Sequence, residues 1–184
     1  IVDIVLGVAD ILPIHGFGYL VPRNATNNSD EILGVIFDSD AVPNQSQRLT
    51  KLTVMMGGPY WRHRSSFPNE DDVKERALRA LHSQLGLSLL TLTSHLENIY
   101  ARVMTDTIPQ YLVGHPQRMA ELKAAIKMHP QWRNRLSLLG YSYGGVGVND
   151  CIANAMDTCD AICNYEQNRS PLSDISGLQP CLLY

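Results

Sequence analysis

No apolar run in this chain reaches the roughly 18 residues that cross a bilayer as a helix. The longest apolar-rich stretch, Leu85 to Leu92, is interrupted by Gly86, Ser88 and Thr91. Basic residues are in no excess either. The 15 Lys and Arg against 18 Asp and Glu leave a formal net charge of -3, which offers no field to a phosphate backbone, so nucleic acid is not an expected partner. Cysteine does not occur before Cys151, and Cys151, Cys159, Cys163 and Cys181 match neither a disulfide framework nor paired zinc knuckles. They read as small buried hydrophobes in a reducing compartment, and no metal site is expected. A charged n-region with a cleavage pattern is missing, as is an initiator Met. The chain opens at Ile1 on a buried-strand pattern running to Val8, so it reads as cut from something longer. What is present suits a folded globule: 45% apolar and 18% charged residues over 184 positions, enough for one domain or parts of two.

Strand signals dominate the first third. After the opening strand, Leu12 to Pro22 is punctuated by glycine and reads as a bend into a short strand. Asn24 to Glu31 is a polar turn, and Ile32 to Phe37 is β-branched and aromatic. A loop at 43–48 precedes a strand over Leu49 to Met56, stopped by Gly57-Gly58-Pro59. These segments predict an antiparallel sheet of about three strands. The clearest helix runs from Asn69, a capping residue followed by three acids, to Gly86, with Val73, Ala77, Ala80, Leu81 and Leu85 on one stripe. Leu87 to Met104 is ambiguous, more strand than helix toward its end. Helices are expected over His115 to Met128 and from Gly147 to about Asn164, with a short strand at Leu136 to Leu139 between them. Sequons at Asn24, Asn27, Asn44 and Asn168 read as by-products of Asn- and Ser-rich loops.

The run from Gly140 to Asp150 concentrates the chemistry. Gly140-Tyr-Ser-Tyr-Gly144 matches G-x-S-x-G, and His15-Gly-Phe-Gly18 is like the stretch that builds some esterase oxyanion holes. A hydrolase of that kind places its His after the serine, and none of His15, His63, His82, His95, His115 and His129 follows Ser142. A serine hydrolase fragment therefore stands as an alternative lacking its base, and a non-catalytic interaction domain as another. The second reading is a ligand turn. Glycines remove Cβ atoms where a backbone approaches a bulky group, and the following helix start offers unpaired N–H groups. A flavin suits such a place, because its pyrimidine carbonyl gains negative charge on reduction. The G-x-G-x-x-G dinucleotide fingerprint itself is absent.

Five segments together carry a resemblance: Leu12 to Pro22, Ile32 to Ser39, Leu52 to Gly58, Ile108-Pro-Gln-Tyr-Leu-Val-Gly-His115, and Gly140 to Ile152 with its Asn-Asp-Cys-Ile. In this order they closely resemble the C-terminal part of the protoporphyrinogen oxidase family, FAD-dependent flavoproteins of amine-oxidase type. The resemblance reaches to about Cys163, and Thr53 to Trp61 looks closest to fungal or other mitochondrial members.

The resemblance implies a mixed α/β (α+β) fold, the C-terminal fragment of a Rossmann-like FAD domain plus part of an antiparallel substrate domain. Residues 1–10 would be a cofactor-domain or connecting strand, 11–108 part of the substrate domain, 109–164 the end of the FAD domain, and 165–184 a tail. Leu136 to Leu139 would join the cofactor-domain sheet, with the last helix packed on it. Tyr141, Val146, Gly147 and Val148 would contact FAD, and Phe17, Gly18, Leu20, Leu33, Ile36 and Met55 would line the tetrapyrrole pocket. No side chain is implied as catalytic acid or base; His15 and His115 read as structural hydrogen bonders. The implied reaction is oxidation of protoporphyrinogen IX by FAD and oxygen in heme biosynthesis, at the mitochondrial inner membrane. Membrane association would run through a region absent from this chain, and a homodimer is allowed. The family's N-terminal FAD motif is also absent, so the polypeptide alone is expected to be inactive.

Overall fold

The structure is a computed structural model that describes residues 1–42 and 48–168, the last four without their side chains. It divides into two compact units, Ile1–Thr105 and Asp106–Tyr184.

The first unit is an α+β arrangement. Its strands are β1 (Val2–Leu6), β2 (Gly18–Leu20), β3 (Ile32–Phe37), β4 (Thr50–Met56) and β5 (Leu96–Ala101), joined in the order β2-β3-β4-β1-β5 with every neighbouring pair antiparallel. Alternation sorts the side chains by face. Val2, Ile4, Leu6, Val35, Phe37, Leu52, Val54 and Met56 point inward, all but fully buried. Helix α2 (Glu70–Leu85) covers that face with Val73, Ala77, Ala80 and Leu81, the stripe expected from its periodicity, Leu85 being only partly buried. Its start is a capping box: the Asn69 side chain accepts from the Asp72 amide at 2.9 Å, and Asp72 accepts from the Asn69 amide at 3.3 Å.

A polar pair ties α2 to the start of β3. Asp30 Oδ1 accepts from Arg79 Nε at 3.1 Å and Nη2 at 2.8 Å. Glu31 accepts from Trp61 Nε1 at 2.8 Å, from Arg76 at 3.1 Å and from Arg64.

Several expectations are corrected. The sheet has five strands rather than about three, because β1 lies inside it between β4 and β5 and the ambiguous 87–104 segment supplies an edge. That segment splits at His95 into helix α3 (Leu89–Ser94), capped by Ser88, and β5. A short helix α1 (Asp38–Ala41) follows β3. The expected loop at 43–48 lies outside the described residues except for Arg48.

The second unit holds α4 (His115–Met128) and α5 (Val148–Asn168). Leu136 to Leu139 forms no strand. An apolar tetrapeptide becomes a strand only when another backbone pairs with it, and the described residues of this unit contain none. Helix α5 runs on to Asn168, into the expected tail, and residues 169–184, with Cys181, lie outside the described part. The cysteines are also corrected: Cys151 is half-buried, while Cys159 and Cys163 are exposed. Helix α5 turns Asn154 and Thr158 inward, so Ile152, Met156, Cys159 and Cys163, on the opposite side of a 3.6-residue helix, face out.

Candidate functional site

Two clusters of sequence-predicted residues come together, each within its own unit. In the first, the outer face of the sheet is divided. Its β2–β3–β4 half is apolar: the register sets Gly18 beside Ile36, Leu20 beside Gly34, and Gly34 beside Met55, so Gly18, Leu20, Ile36 and Met55 share one face. Leu20 lies across Gly34, where a Cβ would sit 2.9 Å from Leu20 Cδ2. Phe17 stands at the rim, 73% exposed, with its carbonyl accepting from the Phe37 amide at 3.0 Å, and Leu20 is 79% exposed. Leu33 is the extra residue of a bulge in β3, next to Gly34 and opposite Met55, and its side chain reaches toward Gly58. Beyond Met55 the face turns polar, with Thr53 Oγ1 3.0 Å from Asp3 and 2.9 Å from Asp38. Of the six expected pocket residues, four share the face, Phe17 borders it and Leu33 sits in the bulge beside Gly34. His15 makes the hydrogen bond its structural reading called for, to Asp40 at 3.1 Å.

In the second unit, Tyr141, Val146 and Val148 line a cleft of about 420 Å³ with Thr107, Ile108, Pro109, Cys151, Ile152 and Ala155. That volume lies within the ~300–1,000 Å³ of small-molecule sites. Gly147 sits between two of the lining residues, and its amide donates to Asp150 Oδ2 at 3.2 Å. The lining is almost wholly apolar, and Val148 is 76% exposed. Thr107, Ile108, Pro109, Cys151, Ile152 and Ala155 were not assigned roles from sequence. Ile108-Pro109 carried a motif with no role attached, and residues 148, 151, 152 and 155 show the helical spacing that could have found the others.

The turn between Gly140 and Val148 is held by side chains. Asn154 Nδ2 donates to the Gly144 carbonyl at 3.2 Å, and Cys151 Sγ lies 3.7 Å from the Gly145 carbonyl. The Tyr111 hydroxyl donates to the Tyr141 carbonyl at 2.6 Å and accepts from the Gly145 amide at 2.8 Å. The Tyr111 ring stacks on His115, centroids 4.1 Å apart and planes 8° off parallel. His115 is thus a stacking partner, and the hydrogen-bonding role expected of it is not made at Nε2, which is buried with no partner among the described residues.

These bonds decide which ligand the turn suits. The first helical N–H groups, at Val148, Asn149 and Asp150, have no intrahelical acceptor. The Asp150 carboxylate occupies the same end, where its charge opposes a phosphate. A flat, largely uncharged group against Val146, Val148 and Ile152 fits both facts.

The G-x-S-x-G match fails structurally as well. Among the described residues the element before it is helix α4 rather than a strand, α5 starts only at Val148, and no histidine bonds to Ser142. Among the described residues there is also no cluster of three metal-ligating side chains, and no helix is long and apolar enough to cross a membrane.

No model of a known protein family matches the chain. It is 36% identical over 164 residues to protoporphyrinogen oxidase of Schizosaccharomyces pombe, covering 88% of this chain and 31% of that protein. To human protoporphyrinogen oxidase it is 33% identical over 162 residues, covering 85% of this chain and 32% of that protein. The chain therefore spans about a third of the length of these relatives. A crystal structure of an Exiguobacterium protein, provisionally named a protoporphyrinogen oxidase, superposes with a TM-score of 0.65 at 23% identity, over 88% of this chain and 33% of that one. This last likeness supports the fold. Over most of its length the chain is similar to protoporphyrinogen oxidases, the proteins its motifs resemble.

Proposed function

We propose that the chain is part of a flavin-dependent oxidase that converts protoporphyrinogen IX to protoporphyrin IX, its second unit offering a partial wall to the flavin and its first, considered by itself, an apolar face to the tetrapyrrole. The observation that carries this reading is the meeting of Tyr141, Val146 and Val148 on one apolar cleft that Ile108 and Pro109 also line. These residues, matched to a flavin contact by motif alone and spread across a turn and a helix start, support the reading by lining one cleft together with residues from 107–109.

FAD fits this cleft by its ring. The apolar lining takes a flat ring face, the free amides at the start of α5 suit a ring carbonyl, and Asp150 disfavours the pyrophosphate, which belongs elsewhere. Bound FAD would accept hydride equivalents from the substrate in three rounds and pass electrons to oxygen, giving hydrogen peroxide. The chain's own residues exclude water and set geometry. Val146 and Val148 would keep one ring face dry, and the bond from the Gly147 amide to Asp150 fixes the backbone between them. In the first unit, Leu20, Ile36 and Met55 offer an apolar wall to a tetrapyrrole edge, and Phe17 a ring to stack on it. In this reading the first unit belongs to the substrate domain and residues 109–164 to the FAD domain. The whole protein would act in heme biosynthesis at the mitochondrial inner membrane, and a homodimer is allowed.

The test is a chimera in which this chain replaces the matching third of the Schizosaccharomyces pombe relative. Retained conversion of protoporphyrinogen IX, read as rising porphyrin fluorescence, is expected. A folded chimera that holds flavin and forms no porphyrin would overturn the proposal. The chain alone has one wall of the flavin site, so it should bind a flavin ring measurably but weakly, and emerge from purification without a stoichiometric flavin absorbance band. A stoichiometric band would contradict the half-site reading.

A further inference from the structure

We propose that Tyr111 is a positioning residue for the flavin wall, its single phenolic oxygen holding the turn from Tyr141 to Gly145 in the shape that presents Tyr141 and Val146 to the cleft. The proposal rests on the flavin reading of that cleft.

The turn has no strand to brace it. Its later half is tied by α5 through Asn154, Cys151 and Asp150, which reach the Gly144 carbonyl, the Gly145 carbonyl and the Gly147 amide. Its earlier half has the Tyr143 amide bonded to the Gly140 carbonyl at 3.0 Å and, from outside the turn, Tyr111. One oxygen both donates to the Tyr141 carbonyl and accepts from the Gly145 amide, so it closes the five-residue loop as a ladder rung would. A hydroxyl is needed for this, because a carboxylate only accepts and an ammonium only donates.

The tyrosine is itself fixed. Its ring lies flat on His115, the first residue of α4, a residue only 8% exposed. The helix thus aims the ring, the ring aims the oxygen, and the oxygen shapes the turn. Neither Tyr111 nor His115 lines the cleft, so they act through the turn alone.

The test compares the 184-residue chain with its Tyr111→Phe variant, which keeps the stacked ring and loses the oxygen. Amide hydrogen exchange at Gly145 is expected to quicken about tenfold, the loss of one hydrogen bond. Amides inside α4 and α5 should keep their rates, which a general loss of stability would not allow. Unchanged exchange at Gly145 overturns the proposal. So does a Gly145 amide already unprotected in the unaltered chain, a measurement that holds even if the variant fails to fold. Lumiflavin, which carries only the ring, is then titrated by fluorescence, and about tenfold weaker binding by the variant is expected. Equal binding by both chains, with Gly145 loosened, also overturns the proposal. If Gly145 loosens and lumiflavin binds neither chain, Tyr111 still positions the turn and it is the flavin reading that falls.

Discussion

Replacing Gly145 by valine is expected to weaken lumiflavin binding by on the order of 100-fold while α4 and α5 keep their helical signal. Two costs combine. Gly145 has φ +142°, a region that non-glycine residues enter at about 1–3 kcal/mol. A Cβ there would also stand 2.6 Å from Asp150 Cβ and 2.8 Å from its Cγ, well inside contact distance. Asp150 cannot swing away without releasing the Gly147 amide, and the turn cannot move without losing Tyr111 and Cys151. The least costly escape is a different turn, which carries Val146 off the cleft. A loss of about 3 kcal/mol corresponds to the stated factor. The measurement is the same fluorescence titration with far-UV circular dichroism as the control. Binding within a few-fold of the unaltered chain would show that the turn does not shape the cleft.

Gly18→Val is expected to detach β2 and destabilise the first unit by about 3 kcal/mol. At φ +141° a Cβ would overlap the Val35 carbonyl and lie 2.9 Å from Ile36 Cα, so the side chain points into the neighbouring strand's backbone. Backbone cannot yield as a flexible side chain does, and the pairing of Gly18, Tyr19 and Leu20 with β3 is lost. Tyr19 reports this directly. It packs edge-on to Phe37 at 6.0 Å, donates to Gln84 at 2.8 Å, and burial pushes its hydroxyl up to about 12 from an ordinary value of 10.0. The neutral phenol is the form the fold favours. Its contribution is therefore fully present below pH ~10 and is lost as the pH climbs through ~12. In the variant Tyr19 is released, and one more tyrosine should ionise near its ordinary value in an alkaline absorbance titration. Urea unfolding of the first unit gives the stability loss, and an unchanged midpoint and titration would refute the strand's dependence on this glycine.

The contrast between segments shows where local information suffices. Helix α2 was legible from end to end because its signals are local: Asn69 caps, acids fill the first turn, and the apolar stripe repeats within one helix. The strand at Ile32–Phe37 was legible because β-branched residues and alternation act within a few positions. Leu136 to Leu139 has the same local character and is no strand, since pairing needs a partner that no tetrapeptide contains. The same dependence hid the place of β1: its own residues state that it is buried, and only β4 and β5 state that it lies inside the sheet.

The candidate sites divide in the same way. Glycines at Gly18 and Gly145, and the apolar residues near them, mark in the sequence that something approaches the backbone closely there. Alternation along β2, β3 and β4 is a local property, and it was enough to put Leu20, Ile36 and Met55 on a common side once the register was known. The register itself, the bulge at Leu33, and the exposure of Cys159 and Cys163 came from packing between distant segments. Tyr111 is the sharpest case. By itself the sequence determined that a tyrosine precedes a helix and that a glycine turn lies some 30 residues further on. Only the tertiary structure brought one phenolic oxygen within 2.6 Å and 2.8 Å of the two ends of that turn, because a hydrogen bond depends on distance in space and nothing in the local chain encodes it.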